Sequence, residues 1–223
     1  MLTLATVFAL LPDWLDPQKI ISRGGYLLIF AIIFAESGLL IGFFLPGDSL
    51  LFTAGMFAAG TFATAFPNVQ SNIWVLLIGV FVAAVAGDQV GYVFGRKAGP
   101  ALFSRPDSRF FKQEHLEKAQ EFFERHGPRA IVLARFVPIV RTFCPIVAGA
   151  GHMEYTTFVR FNVVGGLLWG VGVTLLGYYL GNVAIIADHV EIALLLVVAV
   201  SLIPIAIEVL RSRRSKRSET VGG

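Results

Sequence analysis

The chain has 223 residues, 56% of them apolar and only 15% charged, with a net charge of +3, a pI near 9.2 and a mean hydropathy of +0.73. Soluble domains are about 25% charged, and one of this length could not hide so much apolar surface beneath a polar coat. Disorder is excluded by the apolar content, and a disulfide scaffold by the single cysteine, Cys144. What remains is an all-α integral membrane protein, in which clustered basic residues report topology before they report partners.

Residues 1–22 form an N-terminal interfacial segment. Met1 to Leu11 is apolar but lacks a basic start, and Pro12, Asp13 and Asp16 follow it. A short interfacial helix is expected there, not a cleaved signal peptide. Residues 23–210 then make one membrane domain, and 211–223 a basic tail. Within the domain, residues 24–60 are too long for one crossing and short for two with a loop. They carry Glu36 and are broken by Pro46-Gly47-Asp48. Residues 73–95 read as a span interrupted by Asp88. Residues 96–129 form a cytoplasmic amphipathic region, in which Leu116, Ala119, Phe122 and Phe123 share one helical face. Residues 130–153 contain Arg135, Pro138, Arg141 and Pro145. Spans at 157–181 and 192–210 complete the domain, the last with Pro204 inside it.

Irregular backbone at membrane depth persists only when buried in protein or lining a wet cavity. Residues 24–60 and 130–153 are therefore read as re-entrant hairpins, with structural turns at Pro46, Gly47, Pro138 and Pro145. A pair of ordinary kinked spans is the alternative that hydropathy leaves open. The fold is thus two re-entrant hairpins, about three transmembrane helices and one amphipathic helix.

Charge sets the orientation. Arg96, Lys97, Arg105, Arg109, Lys112, Lys118, Arg125 and Arg129 form one basic block, and Arg211, Arg213, Arg214, Lys216 and Arg217 another. Residues 61–72 and 182–191 contain no Lys or Arg. Both blocks fall on one face if a hairpin and two spans separate them, and the positive-inside rule makes that face cytoplasmic, the C-terminus included. The two hairpins are then inverted. A weak internal repeat agrees: Glu36 precedes Pro46 by the interval that separates Arg135 from Pro145, and Gly91-Tyr92-x-x-Gly95 recurs as Gly177-Tyr178-x-x-Gly181. Inverted repeats with broken helices meeting at the midplane are a transporter architecture. Gly87, Gly91, Gly95 and Gly99 form a small-residue stripe for helix packing; no strand or Walker lysine accompanies them to suggest a nucleotide loop.

Each charge near the bilayer centre costs about 2.5–3.5 kcal/mol on insertion scales, so Glu36, Asp48, Arg135 and Arg141 need a reason to be there. A static ion-pair lock is the bland reading, but apolar side chains would serve that purpose as well. As a site, Arg135 and Arg141 bind an anionic substrate, since arginine grips phosphate oxygens in a bidentate fork. Glu36 and Asp48 are the proton-coupling candidates: a carboxylate in a partly apolar site takes a proton more readily, and its ionised form competes with the anion for the arginines. Asp88 and Asn162 are accessory candidates: Asp88 is equally readable as a hydrogen-bonded packing residue, and Asn162, on one helix with Gly165, Gly166 and Trp169, reads more as a partner for broken backbone groups than as a substrate ligand. No nucleophile–base pair, metal cluster or phosphate loop stands out, so neither an enzyme nor a cofactor nor a nucleic-acid partner is expected.

Taken together, Glu36, Phe44-Leu45-Pro46-Gly47-Asp48, Gly87-Asp88-x-x-Gly91-Tyr92-x-x-Gly95-Arg96, Arg135-Phe136-x-Pro138-x-x-Arg141, Gly149, Met153 and Phe161-Asn162-x-x-Gly165 with Trp169 resemble the DedA family, also called SNARE-associated or VTT domain proteins. The resemblance runs from about residue 25 to 181. It implies two facing re-entrant hairpins in a multi-pass protein of the bacterial cytoplasmic membrane. It implies transport of a lipid carrier, undecaprenyl phosphate in bacterial members and scrambled lipids in eukaryotic ones, and a part in membrane homeostasis. Glu36, Asp48, Arg135 and Arg141 match the family's functional acids and arginines. The expected partners are membrane lipids, a polyprenyl phosphate and protons, with homo-oligomerisation left open. Two rival readings stay beside this one. One is a proton-driven antiporter for small cations or drugs, in which the acids bind the substrate. The other is a non-transporting assembly factor.

Overall fold

The computed structural model describes residues 17–39, 45, 47–61, 63, 71–103 and 113–183. The segment up to residue 16, Pro46, the expected span 192–210 and the basic tail lie outside the described residues. All regular structure among the described residues is helical. Helix α1 runs Pro17–Gly38 and is interrupted at Gly25, where φ is 54° and only glycine is unstrained. It is followed by α2 (Gly47–Ala58), α3 (Ile73–Phe103), α4 (Gln113–His126), a 3₁₀ turn (Gly127–Arg129), α5 (Ala130–Ala134), α6 (Pro138–Ala150), α7 (Tyr155–Gly166), a π-helical turn (Leu167–Val171) and α8 (Gly172–Gly181).

Two of these are long and apolar enough to cross a membrane: Ile73–Ala98 of α3, and the continuous run Tyr155–Gly181 through α7, the π turn and α8. Helix α3 continues past Gly95, the expected end of its span, to Phe103. Arg96 and Lys97 marked a change of surroundings, and a helix can cross that boundary without losing a backbone hydrogen bond. Large apolar side chains stay exposed on both long helices, among them Trp74, Ile78, Val82, Leu168, Leu176 and Tyr179.

Glycines bring the helices together. Helix α1 lies along α3: Phe30 covers Gly79, and Gly38 abuts the Gly87 backbone. The part of α1 that follows the Gly25 interruption begins level with the start of α3, where the Tyr26 hydroxyl donates to the Asn72 carbonyl at 3.2 Å. Its end, at Gly38, reaches only the middle of α3. Helix α2 then runs back along α8, and beyond its end Thr61 Oγ1 donates to the Gly181 carbonyl at 3.0 Å. Helix α6 starts in the middle as well and follows α3 toward its C-terminal half, where the Tyr92 hydroxyl donates to the Met153 carbonyl at 2.5 Å. Amphipathic α4 covers α6 with Phe122 and Phe123.

The two helix pairs repeat one contact. A Cβ on Gly149 would run into the backbone of Tyr92 and Arg96, and one on Gly95 into Ile146. A Cβ on Gly55 would run into Thr174 and Tyr178, and one on Gly177 into Phe52. Packing therefore matches Gly177 with Gly95. The Gly-Tyr motifs alone matched Gly177 with Gly91, one helical turn away. Close backbone approach depends on which glycine faces the neighbour, and a short motif does not say which.

Backbone contacts this tight leave no room for a side chain. Gly95→Val is expected to cost about 1–3 kcal/mol through overpacking. Gly172→Ala, whose added methyl would meet only its own helix, should leave stability near that of the parent. Thermal unfolding in detergent checks both: the melting temperature should fall for Gly95→Val and hold for Gly172→Ala.

Candidate functional site

Four chain breaks meet at the centre of the fold. They are the last turn of α1 (Glu36, Ser37), the first turn of α2 (Gly47, Asp48), the bend between α5 and α6 that carries Arg135, and the π turn that carries Trp169. Helix α6 starts sharply because Pro138 is its first residue and Val137 before it is extended, with φ −120° and ψ 103°. Arg141 then sits in the first turn of α6. Both α2 and α6 run outward from this centre, so the positive ends of their peptide dipoles point into it.

The arginines divide the acids between them. Arg141 pairs through Nη2 with Glu36 Oε1, and its Nη1 lies 3.0 Å from Asp48 Oδ1. Arg135 Nη2 donates to Asp88 Oδ2 at 2.5 Å and to Asn162 Oδ1 at 2.7 Å. Asn162 completes this knot by donating from Nδ2 to the Val85 carbonyl at 3.1 Å. The sequence reading had both arginines facing Glu36 and Asp48. Their separation follows from the bend at 135–137, which points Arg135 at α3 and α7 while α6 carries Arg141 to the tips of α1 and α2. Asp88 and Asn162, read as accessory, are thus the partners of Arg135.

Burial differs in the same way. The Arg135 and Asp88 side chains are 4% and 6% exposed, and Glu36 is 1% exposed, whereas Asp48 is 34% exposed and forms the open edge of the cluster. Glu36 Oε2 has no hydrogen-bond partner, and the carboxylate lies where a Cβ on Gly47 would stand, at the start of α2. A negative group there is stabilised by the helix end and the guanidinium together. The space enclosed by Ser37, Asp88, Arg135, Arg141, Cys144 and Trp169 is about 10 Å³, room for roughly one water. Little free volume remains there, and protein carboxylates occupy the places that face Arg141.

Two further points depart from expectation. Pro145, read as a turn, lies inside α6. It has no N–H to give, so the carbonyl one turn earlier, that of Arg141, loses its helical donor without the helix ending. Trp169 is not among the expected site residues, yet it reaches Asp48 and both arginines. Its Nε1 donates to Asp48 Oδ1 at 2.7 Å, and its ring lies 5.0 Å from the Arg141 guanidinium and 5.8 Å from that of Arg135. A tryptophan set among glycines in an apolar span carried a signal that could have been read: a buried indole N–H needs an acceptor.

Among the described residues no group of His, Cys, Asp and Glu has the arrangement to hold a metal ion. The cluster sets one guanidinium, that of Arg141, against two carboxylates where two helix N-termini point inward, an arrangement of positive potential suited to negative groups.

Comparison with known proteins supplies the relationship. Residues 45–179 match the VTT domain model. An uncharacterized membrane protein of Mycobacterium leprae is 44% identical over 218 residues, covering 95% of this chain and 94% of that protein. Protein DedA of Escherichia coli is 42% identical over 190 residues, 85% of this chain and 84% of that protein. Inner membrane protein YqjA of the same species is 35% identical over 164 residues, 74% of this chain and 71% of that protein. No solved structure matches the chain.

Proposed function

The chain belongs to the VTT-domain, DedA family of membrane proteins, and from that premise we propose that it carries a phosphorylated lipid across the bacterial inner membrane. The headgroup is a phosphate monoester on a polyprenyl chain, undecaprenyl phosphate being the natural case. Arg141 receives the phosphate, the tail stays in lipid, and protons on Glu36 and Asp48 drive the exchange. Such transport would contribute to membrane homeostasis.

The observation that carries this reading is the placement of Arg141. It faces two carboxylates at once, at the point where the N-termini of α2 and α6 converge. A second anion can enter only by displacing one of these carboxylates. Protonation removes their charge and frees the guanidinium; ionisation restores the competition and expels the phosphate. The same features weigh against a cation antiporter. The two acids that would hold a cation already face Arg141, and the positive helix ends repel positive charge.

The membrane arrangement follows the same lines. Two hairpins, α1–α2 and α5–α6, enter from opposite sides and return, with their tips at the centre. The end of α1 beside Gly87, halfway along α3, supports this, as does the exposed apolar surface of α3 and of α7–α8. The basic end of α3 and the C-terminal tail lie on the cytoplasmic side.

Binding in lipid nanodiscs tests the headgroup. A polyprenyl monophosphate should bind saturably, and the free alcohol with the same tail should not. Equal binding of both, or of neither, would overturn the phosphate reading; protection of the site by a monovalent cation or a cationic drug would favour the antiporter.

A further inference from the structure

We infer that Trp169 is a binding residue, whose indole N–H is a donor to the same phosphate oxygen that Arg141 grips. This deepens the lipid-phosphate reading and rests on it.

Asp48 Oδ1 accepts from Trp169 Nε1 at 2.7 Å and lies 3.0 Å from Arg141 Nη1. Two donors from different helices therefore converge on a single carboxylate oxygen. They are held in register, because the Arg141 guanidinium lies 5.0 Å from the centre of the indole ring. Of the ionised side chains in the cluster, Asp48 is the one with substantial exposure, 34%. An anion arriving from the open edge meets Asp48 first. An anionic oxygen that takes the place of Oδ1 inherits both donors.

Indole N–H is a donor only. When Asp48 leaves, this N–H would be stranded inside the protein unless the incoming anion accepts it, and a stranded buried donor is costly. Asp48 thus acts as a resident stand-in for the ligand. The π-helical turn Leu167–Val171 sets the indole in this place, and glycines stand at 166, 170 and 172 around it. Such turns add a residue to the helix and are frequent at functional sites. A regular α-helix would rotate the indole away from the start of α2.

Trp169→Phe keeps an aromatic ring beside the guanidiniums and removes the N–H. In nanodiscs its affinity for a short-chain prenyl monophosphate should be about tenfold weaker than that of the parent, as expected for one lost hydrogen bond to a charged acceptor. A second experiment does not depend on that variant folding. The chain has three tryptophans, so Trp14→Phe with Trp74→Phe leaves Trp169 as the sole indole fluorophore. Its emission should shift on adding the prenyl phosphate and stay unchanged with the free alcohol. A shift with inorganic phosphate at equal affinity would keep Trp169 as the donor and make the free anion its ligand. Unchanged affinity in Trp169→Phe, or an unmoved emission while Arg141→Ala abolishes binding, would overturn the role of Trp169 and leave the lipid-phosphate reading standing. Absence of any phosphate binding by the parent protein would overturn both.

Discussion

Arg141→Ala is expected to reduce polyprenyl-phosphate transport to background and to weaken headgroup binding by about 100-fold or more. The estimate follows from two charge-assisted hydrogen bonds, each worth about 1.5–3 kcal/mol. Arg141→Lys should recover only part of this, since an ammonium keeps the charge but not the planar fork that spans Glu36 and Asp48. Glu36→Gln separates binding from transport. It removes the buried competitor, so phosphate should bind at least as tightly as in the parent protein, while net transport falls because only Asp48 remains to expel the bound headgroup. Measuring affinity and flux on the same three variants checks the scheme. Normal flux in Arg141→Ala would remove the guanidinium from the mechanism, and equal losses of binding and flux in Glu36→Gln would make Glu36 a ligand-supporting residue, not a competitor.

Arg135 is expected to behave differently. Its guanidinium is enclosed by Asp88 and Asn162 and nearly sealed from solvent. Arg135→Ala would strand the Asp88 carboxylate, and breaking one side of a buried pair costs about 3–5 kcal/mol. The expected outcome is a marked drop in melting temperature, with activity lost through unfolding. Replacing both partners, Arg135→Met with Asp88→Leu, should restore most of the stability, because desolvation offsets the attraction within a buried ion pair. If Arg135 only positions Trp169 and the α5–α6 bend, the stable double variant keeps most of its flux. A double variant that is stable yet inactive would show that Arg135 touches the substrate. Thermal unfolding and flux on the two single variants and the double variant separate these outcomes.

Much of this arrangement was legible before coordinates. Charged residues in apolar stretches stand out because burial makes them costly, and Pro46 and Pro138 stand out because proline disrupts a helix interior. Those two signals picked out Glu36, Asp48, Arg135 and Arg141, which lie at the centre of the described fold. Pairing was not legible. Whether Arg135 or Arg141 faces Glu36 depends on the azimuth at which the chain leaves the 135–137 bend, and no local pattern encodes that angle. Asp88 looked ordinary for a related reason: a lone acid in a span reads the same whether it packs or pairs. Pro145 misled because a proline at membrane depth can end a helix or lie within one, and its neighbours decide which; here Gly91 on α3 packs against it. The repeat was visible as a motif, but its register was set by Gly55 and Gly149, glycines outside the motif.

The central claim is that Arg141 exchanges protein carboxylates for the phosphate of a lipid. It is tested most directly by flux in proteoliposomes loaded with a defined polyprenyl phosphate, measured with and without a pH gradient. The account predicts protein-dependent movement of the phosphorylated lipid that the gradient accelerates, with no movement of the free alcohol. Equal flux of the alcohol, or no flux of the phosphorylated lipid under either condition, would contradict it.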